Sequence, residues 1–198
     1  MPQHTLKNTH IDSLLKKMRN RLIIIALTLF PMFLSSCIKE KLETTYNKQE
    51  SQIGTYIENA LKKDESYTTV NNAGSNRLTY VHGEVEALEA DGNVTFLYAG
   101  YIFNGSVTKS GMFTTNREES AIDAAWELTE VEYEPLTVNL KNSDLLPGLK
   151  NGLVGVKGGE ECEIIFSGKY GFGHKGFGIV PANSALLYKI WVISVSND

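Results

Sequence analysis

Leu145-Leu146-Pro147-Gly148-Leu149-Lys150-Asn151-Gly152-Leu153-Val154 is the stretch on which the reading of this chain turns. Proline is tolerated at the first position of a helix, where its missing N–H would lack a partner anyway. Leu146, Leu149 and Leu153 recur at helical steps and share one face. The stretch therefore predicts a short helix over 147–154 with an apolar side. Its surroundings read as strands. Pro135–Leu140 precedes it, and Glu161–Ser167 follows through a Gly158-Gly159 turn. Further out, Val94–Phe103 is dense in β-branched and aromatic residues and predicts a central strand. Turns at Glu89–Asn93, with its Asp-Gly pair, and at Asn104-Gly105 bound it. Ala185–Val195 closes the chain as a long strand with Leu186, Tyr188, Ile190 and Val192 on one side. The fold class is α+β: an antiparallel sheet wrapping one short helix.

Two more helices are expected. Gln49–Lys63 carries Ile53, Ile57, Ala60 and Leu61 at steps of three and four. It either packs on its own domain or serves as a dimerisation arm. Glu118–Leu128 favours helix through Ala121, Ala124 and Ala125. Asp64–Asn76 reads as loop, Arg77–Leu88 as a loosely alternating strand, and Gly168–Gly178 as a glycine-rich loop. Within that loop Gly171-Phe172-Gly173-His174-Lys175-Gly176 fits the dinucleotide pattern G-x-G-x-x-G. No helix can begin at Phe177–Pro181, and no acidic residue follows about 20 positions on, so no nucleotide site is assigned.

The amino-terminal region carries an address. Lys16, Lys17, Arg19 and Arg21 precede the apolar run Leu22–Leu34, and Leu34-Ser35-Ser36-Cys37 ends it. That order predicts a secretory signal peptide, and its ending resembles the lipobox of bacterial lipoproteins. In that family cleavage falls before the cysteine, whose sulfur carries lipid. The run of 13 residues is shorter than the ~20 that a spanning helix needs, which disfavours a transmembrane anchor. Met18, directly before Arg-Asn-Arg, is an alternative start to Met1. The expected organisation is a signal peptide at 1–36, a polar lipidated tether at 37–48, a helical extension with a first strand at 49–89, and the main domain at 90–198. The implied location is the bacterial envelope, lipid-anchored at the outer membrane and facing the periplasm.

Composition narrows the chemistry. Five of the 19 Lys+Arg and one of the 23 Asp+Glu precede Cys37, so the remainder carries 14 basic and 22 acidic residues. That balance excludes nucleic acid as a partner and leaves membrane attachment to the lipid on Cys37. With Cys37 lipidated, Cys162 has no disulfide partner. It sits in a strand-like pattern and reads as a buried structural thiol rather than a reactive one. His82 and His174 are too far apart for metal-ligand spacing, so no metal is assigned. No G-x-S-x-G elbow and no acid/base pair emerge.

Three segments together resemble the FKBP-type peptidyl-prolyl cis/trans isomerases. The first is Val94–Gly100 with Asn104-Gly105 and Phe113-Thr114-Thr115-Asn116. The second is Pro135-Leu136-Thr137-Val138 with Leu145–Leu153. The third runs from Tyr170-Gly171-Phe172-Gly173 through Ile179-Val180-Pro181 to Leu186–Ile190. The resemblance implies an FKBP-like curved antiparallel sheet around a short helix, with an extra amino-terminal helix here. It implies catalytic pocket residues Tyr98, Phe113, Phe172 and Tyr188. Substrate-binding residues would be Leu136, Leu145, Leu146, Leu149, Ile179 and Thr114. No cofactor is implied; the substrates are proline-containing unfolded segments with an apolar residue before proline. Leu149 stands where the family often has an indole, Phe172 where it usually has a tyrosine, and Thr114 where it usually has an aspartate. These departures predict a weaker isomerase. Ser106–Met112 and Arg117–Glu134 are longer than usual and either shape access or are plain surface insertions.

The chemistry suits such a pocket. Rotation about a prolyl amide faces ~18–20 kcal/mol, and a millionfold acceleration asks for roughly 8 kcal/mol less. Burying the ring binds ground and transition states alike and does not accelerate. The gain must favour the twisted amide, by desolvating the planar dipolar form and by donors aimed at the rotated carbonyl. The expected function is prolyl isomerisation during folding of exported proteins. The alternative is a non-catalytic chaperone or assembly-subunit lipoprotein using the same cleft. Monomer and helix-mediated dimer both remain open.

Overall fold

The computed structural model describes residues 39–84, 86–126 and 133–198. The signal-peptide and lipidation reading, Cys37 included, lies outside the described residues, as does the end of the helix expected at Glu118–Leu128. Residues 46–198 form one compact unit, which contains everything below except the first residues of helix α1.

Helix α1 covers residues 39–63. The helical pattern begins earlier than the apolar spacing predicts, because 39–48 is polar and has no face to reveal. Strands β1 (Thr68–Asn72) and β2 (Ser75–Val81) form a hairpin, β3 is Asn93–Ile102 and β4 is Met112–Thr115. A short α2 (Glu118–Asp123) precedes β5 (Leu136–Asn139), and α3 (Pro147–Leu153) leads to β6 (Glu161–Phe166) and β7 (Leu186–Ser196).

All strand pairings are antiparallel, in the order β1-β2-β6-β7-β3-β4, with β5 also on β3. The free edge of β3 is thus shared. Asn93–Phe96 pairs with β5 and Ala99–Tyr101 with β4. Asn116 spans the gap: Tyr98 N–H donates to its Oδ1 at 2.7 Å, and its Nδ2 donates to Glu134 O at 3.0 Å. It is buried, so an otherwise unpaired stretch of ladder is satisfied by a side chain.

The sheet has an apolar layer on each face. On one face, Phe96, Leu149, Leu153, Ile164, Phe166, Leu186, Tyr188 and Ile190 pack together beneath α3. On the other, Ile53 and Ile57 of α1 pack with Ala99, Phe103, Met112, Ile165 and Leu187. The apolar stripe of α1 is therefore occupied by its own sheet. Cys162 is buried and free, and burial pushes its thiol pKa well up, in keeping with a structural role. Gly171–Gly176 forms turns and opens no helix.

Candidate functional site

The site grows from the alternation of three strands. On β3, Phe96 and Tyr98 point to the α3 face; on β7, Tyr188 does the same; on β4, Phe113 leans across. Gly100 lets them meet. A Cβ there would stand 2.8 Å from Thr114 Cγ2, 2.9 Å from Tyr188 Cε1 and 3.0 Å from Phe113 Cζ. The absent side chain leaves the hole that these rings border.

The result is a cavity of about 250 Å³ lined by Tyr98, Phe113, Thr114, Leu136, Leu145, Leu146, Leu149, Phe172 and Tyr188, together with Phe96, Asp144 and Phe177. It is somewhat smaller than the ~300–1,000 Å³ of typical small-molecule clefts, and suits a single ring with its flanking backbone. Its aromatic walls meet edge to face. Phe113 and Tyr188 are 5.8 Å apart at 89°, and Phe113 and Phe172 are 5.9 Å apart at 74°. Phe166 stacks beneath Tyr188 at 6.1 Å and 15°. Such pairs hold ring orientation as well as burying area. Burial, followed by the nearby Tyr98, pushes the Tyr188 phenol well above its ordinary range, so it stays a neutral donor.

Nine of the ten pocket residues read from the sequence line this cavity. Ile179 does not, and this corrects the expectation. Phe177 and Val180 bond reciprocally, at 2.9 Å and 2.8 Å, around a two-residue turn with Gly178 at φ +55. Ile179 occupies the tip of that turn and is 59 % exposed. Phe177 takes the rim position instead, stacked on Phe172 at 4.9 Å and 14°. Three lining residues were missed. Phe96 was legible, standing two residues from Tyr98 on one strand face. Asp144 and Phe177 sit in irregular segments whose side-chain directions no periodicity reveals. Asp144 also places a carboxylate among the lining residues. Among the described residues no cluster of His, Cys, Asp or Glu could hold a metal ion.

Residues 84–193 match the family model of the FKBP-type peptidyl-prolyl cis-trans isomerases. The chain belongs to this family. Among curated relatives of this FKBP-type chain, FK506-binding protein 1 of Aspergillus oryzae is 29% identical over 62 residues, 31% of this chain and 53% of that protein. FK506-binding protein 1 of Yarrowia lipolytica is 25% identical over 104 residues, covering 52% and 80%. The chain spans about half the length of the first of these relatives. Among solved structures, FkpA from Escherichia coli aligns with a TM-score of 0.52 at 20% identity, over 96% of this chain and 82% of that one. A peptidyl-prolyl cis-trans isomerase from Pseudomonas syringae gives 0.52 at 16%, over 78% and 96%. These likenesses establish the FKBP-like fold, with its antiparallel sheet, its helices and an amino-terminal helix.

Proposed function

We propose that this chain is a peptidyl-prolyl cis/trans isomerase acting on extended segments of exported polypeptides. The observation that carries the proposal is the apolar cavity in which Tyr98, Phe113, Phe172 and Tyr188 converge over Leu149. A proline ring entering it leaves water, and the carbonyl before it follows into a wall of aromatic and aliphatic groups. The planar amide is the more dipolar form, so this environment penalises it relative to the twisted one. Tyr98, Thr114 and Tyr188 line the same cavity, and their hydroxyls are the donors this reading assigns to a rotated carbonyl. No bond forms or breaks, so the reading needs neither nucleophile nor cofactor.

The departures at three positions support a modest catalyst. Phe172 offers no hydroxyl to a bound peptide, a loss of about 0.5–1.5 kcal/mol. Thr114 brings no charge, and Leu149 makes a shallower floor than an indole would. The order of basic, apolar and small residues before Cys37 supports lipid anchoring in a bacterial envelope, with the outer membrane facing the periplasm as the proposed location.

A protease-coupled proline-peptide assay tests the reading. The chain is expected to accelerate isomerisation, with Tyr98→Ala lowering kcat/KM at least tenfold and Thr55→Ala, on the exposed side of α1, leaving it unchanged. Absence of acceleration with retained suppression of aggregation would favour the chaperone alternative, which Phe177 and Ile179, both more than half exposed beside the cavity, also suit.

A further inference from the structure

The segment Gly168–Asn183 leaves β6, carries Phe172 and Phe177 to the cavity, and returns to β7. Its two ends meet at one side chain from α1. Gly168 N–H donates to Gln49 Oε1 at 2.9 Å, and Gln49 Nε2 donates to Asn183 O at 2.7 Å. Three residues earlier on α1, Tyr46 OH donates to Asn183 Oδ1 at 2.9 Å. Asn183 lies in the left-handed region at φ +59, and its N–H donates to Gly173 O at 2.6 Å. The clamped residue is therefore bonded directly to the neighbour of Phe172.

We propose that Gln49, backed by Tyr46, is a positioning residue for the peptide cavity: α1 holds the loop bearing Phe172 and Phe177 by gripping both of its stems. The inference rests on the isomerase reading of that cavity. The side-chain amide satisfies one backbone donor and one backbone acceptor at once, so its removal orphans two part-buried groups. The loop then spreads over more positions and must be ordered when peptide binds. Phe172, which the family resemblance places among the catalytic residues, carries no hydroxyl here, and with Phe177 it grips the peptide in its planar and its twisted form alike. Losing that grip raises KM and leaves kcat in place.

The test uses the full chain and three variants: Gln49→Ala, Gln49→Glu and, as control, Thr55→Ala, whose hydroxyl bonds only within its own helix. Steady-state isomerase kinetics are read beside amide hydrogen exchange. For Gln49→Ala we expect KM to rise about three- to tenfold with kcat within about twofold. Exchange at Gly168 and across Gly171–Gly178 should quicken at least tenfold. Gln49→Glu keeps an acceptor for Gly168 N–H but sets a carboxylate against Asn183 O. Gly168 should then stay protected while KM still rises. Thr55→Ala should change neither readout. Unchanged KM in Gln49→Ala, with or without faster exchange, overturns the proposal, and so does a loss confined to kcat. If the parent chain shows no isomerase activity, the functional reading fails by itself. The clamp is then judged on exchange alone, where quickened loop amides uphold it and unchanged ones overturn it.

Discussion

Asp144 is the carboxylate among the residues that line the cavity, and it stands directly before the Leu145-Leu146 wall. Its side chain is exposed at the rim, so it adds no cost of burial and, on the proposed reading, offers a charge to whatever flanks the proline. A lysine beside the proline should be favoured over glutamine by about two- to fivefold in kcat/KM, the size expected of an exposed ion pair. Asp144→Asn should bring that ratio to one, and high salt should shrink it in the parent chain. A ratio independent of both would mean that Asp144 does not face the peptide. At this scale the sequence was most legible where alternation governs direction. Tyr98 and Tyr188 could be placed because strands put every second side chain on one face. Ile179 could not, because one left-handed glycine before it turned the chain and handed the rim to Phe177.

Among the elements, α3 depends on a strut outside itself. Arg77 of β2 reaches its last turn, donating from Nη1 to Gly152 O at 3.1 Å and Val154 O at 2.8 Å, and from Nη2 to Gly155 O at 3.3 Å. Glu160 balances the charge, with Oε1 3.2 Å from Arg77 Nε. Oε1 also accepts from Thr79 Oγ1, and Oε2 from Lys157 N–H. Both partners are buried, so Arg77→Met leaves a carboxylate unpaired in the interior. It should cost about 3–5 kcal/mol, read as a lower urea midpoint at constant slope. A loss under about 1 kcal/mol would show that the strut is dispensable. The elements that escaped the sequence did so for identifiable reasons. β1 is Thr-Thr-Val-Asn-Asn, an exposed edge strand whose polar composition reads as loop. The helix expected to reach Leu128 leaves its helical span at Asp123. Ala125 sits at φ +57, Ala125 N–H bonds Ile122 O and Trp126 N–H bonds Ala121 O, which is a Schellman closure without its usual glycine. By contrast the proline-led α3 and the aromatic β3 were readable because packing and propensity agree there.

For the molecule as a whole, the two-faced sheet shields tyrosine phenols in both layers and a thiol in one. Burial raises the pKa of Tyr188 and Cys162 beneath α3. Under α1 it raises Tyr56 and Tyr80, with the Glu163 carboxylate adding to the effect. Their ordinary values are 10.0 for tyrosine and 9.0 for cysteine. Above those values the unfolded chain has lost protons that the native chain still holds, so stability falls as pH rises. Urea midpoints should hold up to about pH 9 and decline beyond it; a flat profile through pH 11 would contradict this burial pattern. The central claim, that the cavity rotates prolyl bonds, is tested most directly by two-dimensional exchange NMR. The sample is a Leu-Pro peptide with a substoichiometric amount of the chain. Uncatalysed isomers interconvert over tens to hundreds of seconds and give no exchange peaks on that timescale. The account predicts cis–trans cross-peaks that vanish with Tyr98→Ala. Their absence with the parent chain, at concentrations where the peptide demonstrably binds, would contradict it.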